Sequence, residues 1–547
     1  MTQRPEETRC PQCGKPLLVL KTSSRPVTTL TEGKGVLNEV QLHCPEHKGT
    51  VYRSKTARII TPARSPYAWD LRTDAGLQRF GDHRQIAEIR RNFIERTGTS
   101  IPERTLSHMC TDFAEHWTAV HIESLEALRG VLEAQGGCVL HLDATGENGS
   151  RPMFTVKDGL SGMILWACRI PTENKCDLAT VLRFVKRTFG KVLAAVRDMG
   201  KGVARAAEEV LHGAYVLVCH FHFLRAVGNR LLDKLYVSFQ RRLKRMGVKG
   251  ALRKLLAALR RKRDKGPPER RVEELVRHIL AFEKAGEGLG APFDLLDLVF
   301  YERCVEAEPK LREWILESAK ENRHDAWACR VEDALRTLHP TPALRGQLER
   351  VYERLKGRQR WFDGARKALR YRNGPVPLST LVTFNERELE RAEKEVIRFL
   401  ERLGRAVEGT MDGVPDKGLK QTLRGIKELF IENRAHLLAP NVVIGTGAKA
   451  RVVKLPRTNN PIEKDYRVMR SHYRRIQGNA RVEAKMQSEG VGMAFLLNLG
   501  NPRYMRAVYG RRDRIAERFR QVRPESLVLA RQLIRGEILI SNRCLPQ

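Results

Sequence analysis

No stretch of about 18 consecutive apolar residues occurs in this sequence, so a membrane-spanning helix is not expected. The first residues, MTQRPEETRC, lack the apolar core that a secretory signal needs. Acidic residues are scarce: 64 Asp and Glu stand against 99 Lys and Arg, a formal charge of +35. That balance argues against an acidic small-molecule enzyme and for a polyanionic partner. Cysteine is sparse as well. Eleven in 547 residues, an odd number, do not make a disulfide framework. A reducing, intracellular setting is therefore expected, in which clustered cysteines are read as metal ligands. What is plentiful is charge (30%) beside apolar residues (41%), the balance of a folded chain rather than a disordered basic one. The length suggests several domains.

Residues 1–55 carry two ligand pairs, Cys10-x-x-Cys13 and Cys44-x-x-His47, 30 residues apart. Short β-rich pieces lie between them: PLLVL, VTTL and VLNEVQL. A two-residue gap lets both ligands of one tight turn reach a single ion, and zinc takes four N or S ligands in a tetrahedron. Two such turns joined by a hairpin describe a zinc ribbon holding one structural Zn²⁺. The bland alternative is a set of scattered reduced thiols. His43 is a competing fourth ligand, but His47 has the better spacing.

Residues 56–130 read as helices. QIAEIRRNFIERT places Ile86, Ile89, Phe93 and Ile94 on one side and stops at Gly98. SIPERTLSHMCTDFAEHWTAV then restarts a helix with Ser or Thr caps. Helix, short Gly-containing turn, helix is the helix-turn-helix pattern, although any helical hairpin looks the same.

Residues 131–235 change character. CVLHLDAT, MFTVKD, MILWACRI, VLAAVRD and AYVLVCHFH read as strands, with helices after the third, fourth and fifth. The order βββαβαβα predicts an α/β fold of the RNase H-like layout, a mixed sheet sandwiched by helices. Residues 236–444 have almost no strand signal and read as an all-helical insertion. Within it, 241–271 carries 14 Lys and Arg against two acids, too many for internal pairing, so phosphate contact is expected there. Trp361 could stack on a base, but a core role is favoured. Residues 445–500 return to a compact pattern, a loop and then a basic helix. Residues 501–547 read as a basic helical tail.

Three carboxylates stand apart from the amphipathic helix faces. Asp143 ends the apolar strand 139–143, and Asp198 follows the apolar run 192–196. In the predicted topology those strands are neighbours, so both acids emerge at one sheet edge. Glu463 starts the helix after Asn459-Asn460-Pro461. An isolated carboxylate at an apolar strand end is costly unless it is paired or binds metal. Two strand-end Asp and one acid from a covering helix can hold two divalent ions ~3.5–4 Å apart for in-line phosphoryl displacement. Mg²⁺ suits such oxygen ligands, and Mn²⁺ can substitute. Taken singly, each acid could equally be a turn residue. Glu483 and Asp465 compete for the third place. Arg467, Arg470 and Arg474 share a helix face with Glu463, as ordinary i,i+4 partners or as a phosphate track.

These pieces resemble a known family. His141-Leu142-Asp143-Ala144-Thr145, then Val196-Arg197-Asp198-Met199-Gly200-Lys201-Gly202, then Cys219-x-x-His222, then Asn459-Asn460-Pro461-Ile462-Glu463 with Tyr466, Arg470, Arg475 and Gly478 behind it are similar to the DDE/D transposases of insertion sequences, in the Mutator-like group. The resemblance covers about 1–235 and 445–500. It implies that Asp143, Asp198 and Glu463 are catalytic and hold two Mg²⁺. It implies that the zinc ribbon and helix-turn-helix read terminal repeats in double-stranded DNA. Water would cut at a transposon end, and the freed 3′-hydroxyl would attack target DNA. Synapsis of two ends implies a homodimer or larger assembly on DNA, with the protein at a bacterial nucleoid or in a eukaryotic nucleus. Cys219 and His222 would have a positioning role near the active centre, or with less support a zinc role. The departure is the 264-residue gap between Asp198 and Glu463, most of it the helical insertion. A structure-selective nuclease of the same fold and a non-catalytic DNA-binding regulator are the rivals.

Overall fold

The structure is a computed structural model. It describes residues 1–547 except 48, 63–64, 147–149, 340, 372–382, 411–415, 448–449, 479–480 and 541–547. The last seven residues of the expected tail thus lie outside the described ones. The chain forms two compact units: Met1–Leu217, Leu378–Thr383 and Asn441–Gln547 make the first, and Val218–Pro377 with Phe384–Pro440 the second. No helix among the described residues is long and apolar enough to cross a membrane.

In the first unit, strands β1 (Leu18–Thr29) and β2 (Gly33–His43) form one long antiparallel hairpin. The expected pieces PLLVL and VTTL are thus parts of a single strand, bulged between Val19 and Lys21. Helix α1 (Ile86–Thr97) opens with a capping box between Gln85 and Glu88, and closes at Gly98, whose φ of 65° is the left-handed conformation that glycine tolerates. Ile89 and Phe93 of α1 are buried, but Ile94 is exposed, so the apolar stripe is narrower than expected. Helix α2 (Glu103–Glu123) starts at Pro102 with no side-chain cap, in place of the expected Ser or Thr. Phe113 and Trp117 of α2 belong to the same apolar core as the central sheet. The reading 56–130 therefore ends inside a continuous core.

The central sheet has β3 (Cys138–Thr145), β4 (Met153–Asp158), β5 (Ile164–Arg169), β6 (Val192–Arg197) and β7 (Tyr215–Val218) in the order β5-β4-β3-β6-β7. The β3–β4 and β4–β5 pairs are antiparallel and β3–β6 is parallel. Strand β3 has a neighbour on each side, and Cys138–Leu142 are all buried, as a near-continuous apolar run requires. It runs two residues past Asp143, which pairs with Thr155 instead of ending the strand. Strand β7 is shorter than expected, because a helix already begins at His220. Helices α3 (Lys175–Phe189) and α4 (Lys201–Val210) flank β6 in sequence.

After the insertion, β8 (Val442–Ile444) and β9 (Arg451–Val453) make a small hairpin that the sequence did not signal. Helix α5 (Asn460–Gln477) has proline in its first turn and stops at Gly478 (φ 65°). It is followed by α6 (Glu483–Leu496) and, near the chain end, α7 (Pro524–Arg535). The segment read as a tail is not one. Tyr504, Val508, Tyr509, Ile515, Phe519, Ala530 and Leu533 are buried in the sheet's own core.

The second unit is all-helical among its described residues, from His220–Met246 to Lys417–Leu437. Trp361 is buried there against Phe399, with Arg402 over its ring at 4.4 Å, the core role that was favoured. The 241–271 run is not uniform. Lys249 pairs with Asp297, Arg253 with Glu283, Lys262 with Glu269, Lys265 with Glu273 and Arg271 with Glu317. Acids from elsewhere in the sequence supply most of these partners, but the five pairs leave the larger part of the 14 cations without an ion pair among the described residues.

Candidate active site and metal centre

Strands β3 and β6 are parallel neighbours, so Asp143 and Asp198 leave the sheet on adjacent strands. Asp198 sits one residue past β6. Its Oδ1 accepts from the Gly200 amide at 2.9 Å, which fixes the carboxylate over the turn into α4. Glu463 lies in the first turn of α5, where the helix dipole favours a negative charge.

Helix α5 is stitched to β3 by three hydrogen bonds spaced along both elements. Asn459 donates its amide to the Leu142 carbonyl at 2.7 Å. The Tyr466 hydroxyl donates to the Asp143 carbonyl at 3.0 Å, and Arg470 donates to Thr145 Oγ1 at 2.8 Å. The same packing buries Ile462, Tyr466, Met469, Tyr473 and Ile476, one face of α5 at helical spacing. Asn459 Oδ1 accepts from His141 Nδ1 at 3.1 Å. A carbonyl only accepts, so the Asn459 nitrogen must face Leu142 and His141 must carry its proton on Nδ1. Burial holds the His141 imidazole neutral, pushing it down to about 4.

The charges of the other two acids bear on Asp143. Burial raises Asp143 well above the usual carboxylate range, and the charges of Glu463 and then Asp198 raise it further. A fourth acid, Glu173, also bears on Asp143. Glu173 is itself raised, by local desolvation and then by Asp198. The sequence reading missed Glu173. It sits in a Pro-Thr-Glu-Asn loop with no pattern to mark it, and it is held there because Gly202 lets α4 approach: a Cβ at 202 would lie 1.9 Å from the Glu173 carbonyl. Of the competing acids, Asp465 pairs with Lys157 at 2.6 Å, and Glu483 is exposed at the start of α6. Arg467 and Arg474 are exposed beside half-buried Arg470 on the expected face. Cys219 caps the helix His220–Met246, and His222 lies in that helix's first turn, both in the second unit.

The second candidate centre is in the N-terminal sheet. Cys10, Cys13, Cys44 and His47 bring one ligand atom each to within 4.8 Å of one another. Cys13 Sγ is 3.6 Å from Cys44 Sγ, and His47 Nδ1 is 3.6 Å from Cys10 Sγ and 3.5 Å from Cys44 Sγ. A tetrahedron with zinc–sulfur bonds of ~2.3 Å has edges of about 3.8 Å, so the spacing fits. His43 is outside this group. Burial pushes the Cys10 thiol up, but the Tyr52 hydroxyl and the Gln12 and Cys13 amides outweigh it and bring the group down to about 6. Tyr52, 3.6 Å from Cys10 Sγ, is an outer partner that no motif marks. The cluster can bind a metal such as zinc.

No family model matches this chain. No curated protein matches it either. Among solved structures, the Drosophila P element transposase strand transfer complex is similar over 82% of this chain and 96% of that chain, at 12% identity and a TM-score of 0.34. A likeness of that size carries no argument about chemistry, which has to come from the residues.

Proposed function

We propose that this chain is a DNA transposase that cuts transposon ends and joins them to target DNA. The observation that carries the reading is that Glu463 and Asp198 both act on the buried Asp143 carboxylate, which burial and their charges raise well above the usual carboxylate range. Asp143 and Asp198 belong to two adjacent parallel strands and Glu463 to a helix more than 260 residues further on. Carboxylates gathered this way are destabilising unless a cation neutralises them. The fit to metal is good: the donors are all oxygens, as Mg²⁺ and Mn²⁺ prefer. Asp143, Asp198 and Glu463 would hold two such ions, which would activate the attacking oxygen and stabilise the leaving one.

The remaining groups have supporting tasks. The β3–β6 pair and the Asn459, Tyr466 and Arg470 bonds fix where the carboxylates stand. Burial and the Asp143 charge keep the Tyr466 hydroxyl protonated, so it stays a donor. Arg467, Arg470 and Arg474 would carry the scissile strand's phosphates away along α5. Cys219 and His222 would position DNA. In this reading the sheet and its helices are an RNase H-like catalytic domain, the zinc ribbon and α1–α2 read the terminal repeats, and two or more copies pair the ends.

Labelled transposon-end duplexes with Mg²⁺ test this. Joined product that disappears in Asp143→Ala, Asp198→Ala and Glu463→Ala supports it. Cut product with no joining makes the protein a nuclease. Binding without cutting makes it a regulator.

A further inference from the structure

The helical unit contains an open groove of about 930 Å³ whose walls come from the helix His220–Met246 and from Thr337, Leu344, Gln347 and Leu348. Lys234, Arg241, Arg242 and Arg245 line it, with Asp233 as its one acid. Lys234, Arg241 and Arg245 lie at helical offsets of seven and four, on one face. At ~1.5 Å per residue the stripe from 234 to 245 is roughly 16 Å long. That matches the axial rise of about five phosphates on one strand of duplex DNA, at ~3.4 Å each.

These four cations are set apart by lining one groove against a single acid. Among the described residues none of them makes an ion pair, whereas Lys249, Arg253, Lys262, Lys265 and Arg271, a few turns on, all do. Arg241 and Arg245 are at i,i+4, where two like charges destabilise a helix. We infer that this groove seats the phosphodiester backbone of duplex DNA, as a contact separate from the carboxylate centre and independent of its chemistry. The contacts are with phosphate and carry no sequence preference.

The test is the salt dependence of binding by the full chain to a duplex of arbitrary sequence, followed by fluorescence anisotropy without divalent metal. Lys234, Arg241 and Arg245 are exposed, so the triple variant Lys234→Ala/Arg241→Ala/Arg245→Ala keeps the fold, which a thermal melt checks. Removing three phosphate contacts should lower the slope of log K against log salt by about 2.7. The matched control Arg253→Ala/Lys262→Ala/Arg312→Ala removes the same charge from paired positions and should leave the slope near that of the wild type. An unchanged slope in the groove variant overturns the proposal. So does an equal drop in the control, which would mean that only net charge matters. Equal or tighter capture of inorganic polyphosphate in competition would also overturn it, making the site one for small polyanions. The result does not depend on whether the carboxylates cut DNA, which the cleavage assay decides separately.

Discussion

Substituting Asn459→Ala probes the joint between the Asp143 strand and the Glu463 helix. The side chain makes two bonds in the core, to the Leu142 carbonyl at 2.7 Å and from His141 Nδ1 at 3.1 Å. Asn459 and His141 are both fully buried, so no water replaces the lost amide. A buried polar group left without its partner costs about 1–3 kcal/mol, and two are affected, which gives about 2–6 kcal/mol of stability. Tyr466 and Arg470 still hold the rest of α5 on β3, so the variant should fold with a loosened first helical turn. Glu463 is in that turn. A misplacement costing about 1.4 kcal/mol in metal affinity raises the Mg²⁺ needed for half-maximal cleavage tenfold. Urea unfolding followed by tryptophan fluorescence reads the first quantity, and a Mg²⁺ titration of cleavage the second. Asn459→Asp should fare no better, since it keeps an acceptor for His141 but turns an anionic oxygen to the Leu142 carbonyl. A variant that loses less than about 1 kcal/mol and needs no more Mg²⁺ than the wild type would refute the positioning argument.

Three further outcomes are expected. Asp143→Asn should abolish cleavage yet raise stability at pH 7: the folded-state pKa lies above the unfolded one, so ionisation costs the native state as pH rises, and the gain should vanish in acid where both states are protonated. The first unit should lose stability as pH falls from 6.5 towards 4, because burial depresses His121 and His141 to about 4 and His472 to about 3 while the unfolded chain protonates near 6.5. His472→Gln should flatten that slope in urea midpoints measured across pH. One equivalent of zinc should be found by metal analysis, lost in His47→Ala and kept in His43→Ala.

Much of the central sheet is legible in the sequence, because buried strands such as 138–142 and 192–196 stand out as apolar runs, and an acid just beyond such a run is conspicuous. The ligand pairs Cys10/Cys13 and Cys44/His47 are legible for a similar reason: their spacing is set by the geometry of one ion. The zone after 500 misleads because arginine dominates its composition. Its buried positions, among them Tyr504, Val508, Ile515, Phe519 and Leu533, are spread over three short helices, so no single window shows a strong stripe. The β8–β9 hairpin escapes because three-residue strands with exposed Val443 and Val452 have no alternation to detect. The pairing of Lys249, Arg253 and Arg271 escapes because Asp297, Glu283 and Glu317 are near only after folding. Glu173 and Tyr52 owe their places to tertiary contact alone.

The core that carries Asp143 also contains Ala530 and Leu533, at the far end of the polypeptide. During synthesis residues up to Leu533 must therefore leave the ribosome before that core can close. The β3 strand emerges hundreds of residues earlier and has to wait, its apolar faces uncovered, for α5, α6 and α7. A growing fragment has the first two acids but neither the third nor the packing that holds them. Truncation a few turns before α7 should therefore yield aggregate rather than a folded fragment.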